Sequence, residues 1–158
     1  MRLPDWAKLT VAFVACQLVG IVGGLITTPS LGTWYNTLVK PALMPPGWVF
    51  GPVWGVLYFL MSIAVFLVWR RGTGQEGVAQ ALGIFIIQMA LNALWSIFFF
   101  GVHSPALACV DILLLMLFIV WTMRDFYKIS RAATYLLVPY LLWVGFATYL
   151  NVFIWLRN

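Results

Sequence analysis

The sequence predicts an all-α integral membrane protein, a bundle of five transmembrane helices with a long loop between the first two. Its composition is the first observation. Hydrophobic residues make up 64% of the 158 and charged residues only 8%, with a mean hydropathy of +1.01. Soluble domains carry about 25% charged residues, so this chain could not cover a water-exposed surface. The second observation is a series of charge-poor runs close to the ~20 residues that a helix needs to cross a bilayer.

The charge-poor runs define one predicted domain over residues 1–158, in which Asp111 is the only acidic residue inside a span. The longest connection, residues 27–47, is called loop 1. Within it, Thr33 is expected to cap a short helix that runs through Leu38. Pro105 is well placed to begin the fourth span. The predicted spans are Leu9–Ile26, Phe50–Trp69, Val78–Phe100, Ala106–Met123 and Ala132–Leu156.

Lysine and arginine residues predict the orientation, because cytoplasmic loops carry an excess of them. Only Lys40 and Arg157 fall on the side of loop 1. A bacterial cell membrane would therefore place the N-terminus in the cytoplasm, whereas an outer or organellar membrane would leave the orientation open. Cations scattered between apolar runs also argue against nucleic-acid binding. The side of the N-terminus holds Arg2, Lys8, Arg70, Arg71, Arg124, Lys128 and Arg131.

Several enzyme and cofactor classes lack their motifs. The sequence contains no HExxH, no GxSxG and no phosphate loop. Its one histidine, His103, sits in a short turn without an evident acid or base partner, so no axial haem ligation is predicted. Cys16 and Cys109 lie inside apolar segments and suggest neither a metal site nor a disulfide. No metal and no required cofactor are expected.

Aromatic and polar residues recur at helical spacing on three spans. Trp54 and Tyr58 share a face, and so do Gln88 and Asn92. At 1.5 Å per residue, these faces reach the half of the membrane beneath loop 1. The pattern predicts an aromatic cavity there, as in small-molecule sites. A plainer interpretation takes Gln88 and Asn92 as links between helices. Tryptophans near helix ends are expected to be interfacial anchors, namely Trp6, Trp48, Trp69, Trp121 and Trp155. The faces continue with Trp95 and Phe99 on the third span, and with Tyr140, Trp143, Ala147 and Asn151 on the fifth.

Small residues also recur every four positions on the first span, at Ala12, Cys16, Gly20 and Gly24. A face of this kind allows another helix to approach closely. It favours packing within the bundle, with dimerisation as the alternative.

A further set of motifs runs in order along nearly the whole chain. They are Trp34-Tyr35, Lys40-Pro41, Pro45-Pro46, Trp54, Asn92, Trp95, Phe99, Asp111, Pro139-Tyr140, Trp143 and residues 147–151. In this order they resemble the TspO/MBR family, the tryptophan-rich sensory proteins related to the mitochondrial translocator protein.

The resemblance implies a five-helix bundle, often a homodimer, whose pocket is closed by loop 1 as a lid. It implies that the pocket binds porphyrins, such as protoporphyrin IX and haem, as ligands. Specific sterol binding is not expected, since the tyrosine of the sterol motif is absent and Arg157 falls one residue late. By resemblance, the ligand-binding residues are Trp34, Trp54, Tyr58, Asn92, Trp95, Trp143 and Ala147.

Three functions follow from these observations. The first is a membrane receptor or sensor for porphyrins, with transport left open. The second is an enzyme that degrades bound porphyrin oxidatively or photochemically, with Trp54 and Trp143 as redox-active indoles. The third is a structural, partner-binding membrane protein whose aromatic residues only pack.

Overall fold

The computed structural model describes residues 3–158, and this part of the chain is helical between its turns and loops. Arg2, which supports the predicted orientation, lies outside the described residues. The α-helices are α1 Asp5–Leu31, α2 Trp34–Thr37, α3 Gly47–Trp69, α4 Val78–Ser96, α5 Pro105–Ile129, α6 Arg131–Leu136 and α7 Val138–Arg157. A π-helical turn, Ile97–Gly101, continues α4.

In the part of the chain that the structure describes, five helical segments are long and apolar enough to cross a membrane, which confirms the predicted fold class. Three of them are α1, α3 and α5. The fourth joins α4 to its π-helical turn, and the fifth joins α6 to α7. The last is interrupted at Leu137, and Pro139 lies in the first turn of α7. Proline is tolerated there because the first N–H groups of a helix have no partner within it.

The first span is longer than predicted and ends at Leu31 instead of Ile26. Its last turns contain Thr28 and Pro29, which the sequence places in loop 1. The Thr28 hydroxyl donates to the Gly24 carbonyl oxygen at 2.8 Å, which satisfies the hydroxyl within the helix. Thr33 precedes α2 as predicted, but its hydroxyl bonds back to the Pro29 carbonyl oxygen and caps nothing. Loop 1 is therefore residues 32–46.

The fourth span also exceeds its predicted end at Met123 and continues to Ile129. The predicted span stopped before the charged residues Arg124 and Asp125, but both lie within α5. Asp125 accepts a hydrogen bond from Lys128 at 2.9 Å, one helical turn away. At the other end, Ser104 caps α5 by accepting from the Leu107 N–H, and Pro105 begins the helix as predicted.

The helices pack around one large apolar core in which α1 lies against α3, α4 against α5, and α5 against α7. Ala12 and Cys16 on α1 are buried, so this part of the face of small residues packs inside the bundle, whereas Gly24 is exposed. A smaller aromatic core, around Phe99 and Phe100, lies beneath loop 1. α3 packs mainly on α1 and α6 and touches α7 only sparsely, which leaves a groove between α3 and α7.

Candidate functional site

A closed polar cluster lies at the centre of the predicted site. Tyr58 donates a hydrogen bond to Asn92 Oδ1, and Asn92 Nδ2 donates to the Tyr140 hydroxyl at 3.0 Å. The three side chains come from α3, α4 and α7 and are all buried. Trp54 packs beside them, with its ring 5.4 Å from that of Tyr58 and 6.3 Å from that of Tyr140. The structure thus joins Trp54, Tyr58 and Asn92. Helical spacing placed Trp54 and Tyr58 on one face, and the packing of α3 against α4 adds Asn92.

Glycine at position 20 makes room for this cluster. A Cβ atom at Gly20 would lie 2.6 Å from Cε2 of Tyr58, which no side chain could tolerate without movement. The Tyr58 ring therefore rests directly on the backbone of α1. This close contact explains why one member of the face of small residues, position 20, is a glycine.

A second aromatic cluster joins loop 1 to the bundle. Trp34 on α2 lies 5.6 Å from Phe99, and Trp95 stacks on Phe99 at 5.1 Å. Phe99 belongs to the π-helical turn, a distortion that is frequent at functional sites. Trp95 donates through Nε1 to Asn151 at 2.9 Å, and Asn151 donates to the Pro105 carbonyl oxygen at 2.8 Å. These bonds tie α4, α7 and the start of α5 together beneath loop 1.

Trp143 stands apart from both clusters. It lines the groove between α3 and α7, a space of about 600 Å³ with apolar walls. Its Nε1 atom is buried and has no hydrogen-bond partner within residues 3–158. Phe50 of α3 lies 5.8 Å from the Trp143 ring across this gap. Ala147, one turn further along α7, is partly buried against the large core. The groove walls are Pro52, Val53, Val56, Leu57, Pro139, Leu142 and Phe146.

Apart from Ala147, the predicted site residues occupy three separate places. Trp54, Tyr58 and Asn92 form the closed cluster, Trp34, Trp95 and Phe99 form the cluster beneath loop 1, and Trp143 lines the groove. Asp111 is buried, and its Oδ2 atom has no hydrogen-bond partner. Gln88 is also buried, and neither its Nε2 nor its Oε1 atom has a hydrogen-bond partner within residues 3–158. Gln88 therefore does not link two helices by a hydrogen bond.

Sequence reasoning missed the role of His103. This residue adopts a left-handed conformation with φ of 57°, and its ring stacks on Trp34 at 4.4 Å. Ser30 donates to the Phe100 carbonyl oxygen at 2.8 Å, so the 3.0 Å contact between Ser30 Oγ and His103 Nε2 uses His103 as the donor. No sequence pattern links Ser30 to His103, because the pair meets only when α1 packs against the turn before α5.

Loop 1 is held at further points. Val39 N–H donates to Asn158 Oδ1 at 2.9 Å, and Asn158 Nδ2 donates to the Val39 carbonyl oxygen at 3.2 Å. Tyr35 bonds to the Met44 sulfur at 3.4 Å, while Lys40 Nζ lies 4.5 Å from the Tyr35 ring centre. Burial raises the pKa of the Tyr35 hydroxyl above its usual value, so it remains a donor at neutral pH. Side chains within loop 1 and on α7 thus fix its path.

Among residues 3–158, no three histidine, cysteine or acidic side chains come together as a metal site would require. Cys16 and Cys109 are both buried free thiols. The chemistry available near the two clusters and the groove is therefore aromatic packing and hydrogen bonding.

Comparison with known proteins decides the family. A model of the TspO/MBR family matches residues 12–156. The chain belongs to the TspO/MBR family.

Relatives in this family match the chain over most of their own length. A tryptophan-rich protein TspO of Chlorobaculum tepidum is 46% identical, over 86% of each chain. A tryptophan-rich sensory protein of Cereibacter sphaeroides is 39% identical, over 93% of this chain and 91% of its own.

The TspO/MBR relatives extend to animals. The human translocator protein is 38% identical, over 98% of this chain and 92% of its own length. The family resemblance read from the tryptophan, proline and asparagine motifs is confirmed.

Proposed function

We propose that this membrane protein is a receptor or sensor that binds porphyrin-type tetrapyrroles in the groove between α3 and α7. One observation carries the proposal: Trp143 lines an apolar space of about 600 Å³, and its buried Nε1 donor has no hydrogen-bond partner among the described residues. A buried donor without a partner costs free energy, and an acceptor on a ligand would remove that cost. The groove volume falls within the ~300–1,000 Å³ of small-molecule sites.

Porphyrin chemistry suits these surroundings. The macrocycle is a flat aromatic plate that packs on apolar and aromatic walls, and its imine nitrogens and carboxylates accept hydrogen bonds. Trp143 offers both a ring and a donor, and Trp54 lies on the neighbouring helix against Tyr140. The relatives' names, "sensory protein" and "translocator protein", are consistent with a ligand-responsive role.

Loop 1 is proposed as a lid over the aromatic cluster of Trp34, Trp95 and Phe99, which is separate from the groove. Trp34 inserts between His103 and Phe99, and Asn158 holds Val39 by two hydrogen bonds. Both attachments are made by few residues and can open without unfolding a transmembrane helix. Release of loop 1 would uncover the cluster of Trp34, Trp95 and Phe99.

We also place the N-terminus in the cytoplasm of a bacterial cell, with loop 1 outside. Of the described cations, Lys40 and Arg157 lie on the loop 1 side and the other six on the opposite side, and lysine and arginine accumulate on the cytoplasmic side.

A titration with protoporphyrin IX tests the proposed site. Trp143→Phe keeps an aromatic wall but removes the donor, so the Kd should rise about tenfold, as expected for one hydrogen bond in an apolar site. The Soret absorbance of the porphyrin reports binding without depending on the number of tryptophans. Trp6→Phe is the control, because Trp6 is 72% exposed and does not line the groove. An unchanged Kd for Trp143→Phe would show that the site is misplaced.

A further inference from the structure

The end of α5 opposite to loop 1, with the start of α6 that follows it, carries three cations that the proposed function leaves unused. Arg124, Lys128 and Arg131 are all exposed. The guanidinium carbon of Arg131 lies 5.4 Å from the centre of the Tyr127 ring. This arrangement brings Arg131 at the start of α6 back toward the last turns of α5. The group is called the α5–α6 basic patch.

The acid next to this patch is already neutralised. Asp125 is buried, and its two oxygens accept hydrogen bonds from Lys128 at 2.9 Å and from Gln80 at 3.2 Å. Neither Arg124 nor Arg131 forms a salt bridge to any carboxylate within residues 3–158. Two guanidinium groups therefore remain available to an external anion.

The backbone around the patch is fixed. Ser130 caps α6 by accepting from the Ala133 N–H, and Thr134 donates to the Met123 carbonyl oxygen at 3.1 Å. Since Thr134 lies on α6 and Met123 on α5, this hydrogen bond fixes the position of α6 relative to α5. The backbone positions of Arg124 and Arg131 are thus set by the fold before any ligand arrives.

An exposed apolar stripe runs along α5 from the patch toward the middle of the membrane. Trp121 lies three residues before Arg124, and Leu117 and Leu114 follow at helical spacing. Leu114 is ten residues from Arg124, a distance of about 15 Å along the axis at 1.5 Å per residue. Half of the ~30 Å hydrocarbon core is also about 15 Å, so the stripe matches the depth of one leaflet. Leu113 and Val110 extend it.

We propose that the α5–α6 basic patch binds the phosphate of an anionic phospholipid, whose acyl chains lie along the Leu114–Leu117–Trp121 stripe. The charges favour an anionic headgroup, because the guanidinium groups of Arg124 and Arg131 are positively charged and donate hydrogen bonds but accept none. The stripe selects a lipid over a free anion, because it provides a surface for acyl chains directly beside the charges. The proposal does not depend on porphyrin binding.

Native mass spectrometry of the purified protein with two lipids of identical chains tests this site. The probes are palmitoyl-oleoyl phosphatidylglycerol and palmitoyl-oleoyl phosphatidylcholine. Wild-type protein should retain phosphatidylglycerol preferentially, and the preference should fall about fivefold for each arginine removed, in Arg124→Gln, Arg131→Gln and the double variant. Lys40→Gln/Arg157→Gln is the matched control, because it removes the same charge from the opposite side and should keep the preference.

Three results would overturn the proposal. One is an equal loss in the control, which would indicate a general charge effect. Another is an unchanged preference in both single variants, which differ from the wild type only at exposed positions and so remain informative if the double variant does not fold. The third is displacement of phosphatidylglycerol by inorganic phosphate at equal concentration, which would show that the patch binds the anion alone.

Discussion

At the scale of single residues, Gly20 controls the position of Tyr58. A Cβ atom at Gly20 would lie 2.6 Å from the Tyr58 ring, whereas a Cβ atom at Gly24 would meet nothing within 4 Å. Gly20→Ala should therefore push the ring off its hydrogen bond to Asn92 and lower the free energy of unfolding by about 1–3 kcal/mol, the usual cost of overpacking. Gly24→Ala should be neutral or stabilise the helix by up to about 1 kcal/mol.

Thermal unfolding in detergent, followed by circular dichroism, compares the two glycine variants directly. Both changes add one methyl group to the same helix face, so helix propensity cancels between them. Equal melting temperatures for the two variants would contradict the close approach of α1 to the Tyr58 ring.

Some contacts between individual residues could be predicted from the sequence, and others could not. Helical spacing placed Trp54 beside Tyr58 and Gln88 above Asn92, because residues four apart share a face whatever the tertiary structure. The pairing of Asn92 with both Tyr58 and Tyr140 could not be read from spacing, since it depends on how three helices are rotated against one another. His103 was missed for the same reason: its partners, Ser30 and Trp34, come from distant parts of the chain.

At the scale of elements, the attachment of loop 1 to α7 depends on one side chain. Asn158 makes two hydrogen bonds to the backbone of Val39 and no other residue replaces them. Asn158→Ala should therefore speed hydrogen exchange of the Val39 amide by about tenfold, the expected loss for a pair of exposed hydrogen bonds. The core helices should exchange as before.

Hydrogen–deuterium exchange mass spectrometry measures this effect, with Arg157→Ala as the control. Arg157 is exposed, and its guanidinium lies over the ring of Phe153 without contacting Val39. Similar exchange at Val39 in wild type and Asn158→Ala would show that loop 1 is held elsewhere, most directly by Trp34 and His103.

Element boundaries were less predictable than element number. Charge-free runs located all five spans, because composition alone determines which segments enter a bilayer. They misplaced the ends of α1 and α5, since helices extend past the hydrocarbon core wherever hydroxyl or ionic side chains bond within the helix. Because residues 27–31 belong to α1, loop 1 is shorter than predicted and the proposed lid begins at residue 32.

At the scale of the whole molecule, aromatic residues fill the half of the bundle beneath loop 1, and cations gather at the opposite end. The sparse contact between α3 and α7 leaves one side of the aromatic half open to the membrane. An apolar ligand dissolved in the bilayer could therefore reach Trp143 without crossing water. The composition predicted a membrane bundle, but the position of the groove depends on α3 packing on α6 instead of α7, which no local pattern encodes.

A structure of the protein in complex with protoporphyrin IX would show whether the groove beside Trp143 is the porphyrin-binding site that we propose. We predict density for the macrocycle between α3 and α7, against Val53, Leu57 and Trp143, with a ligand acceptor within hydrogen-bond distance of Trp143 Nε1. A porphyrin bound on another face, with the groove empty and Trp143 Nε1 still unpaired, would contradict the claim.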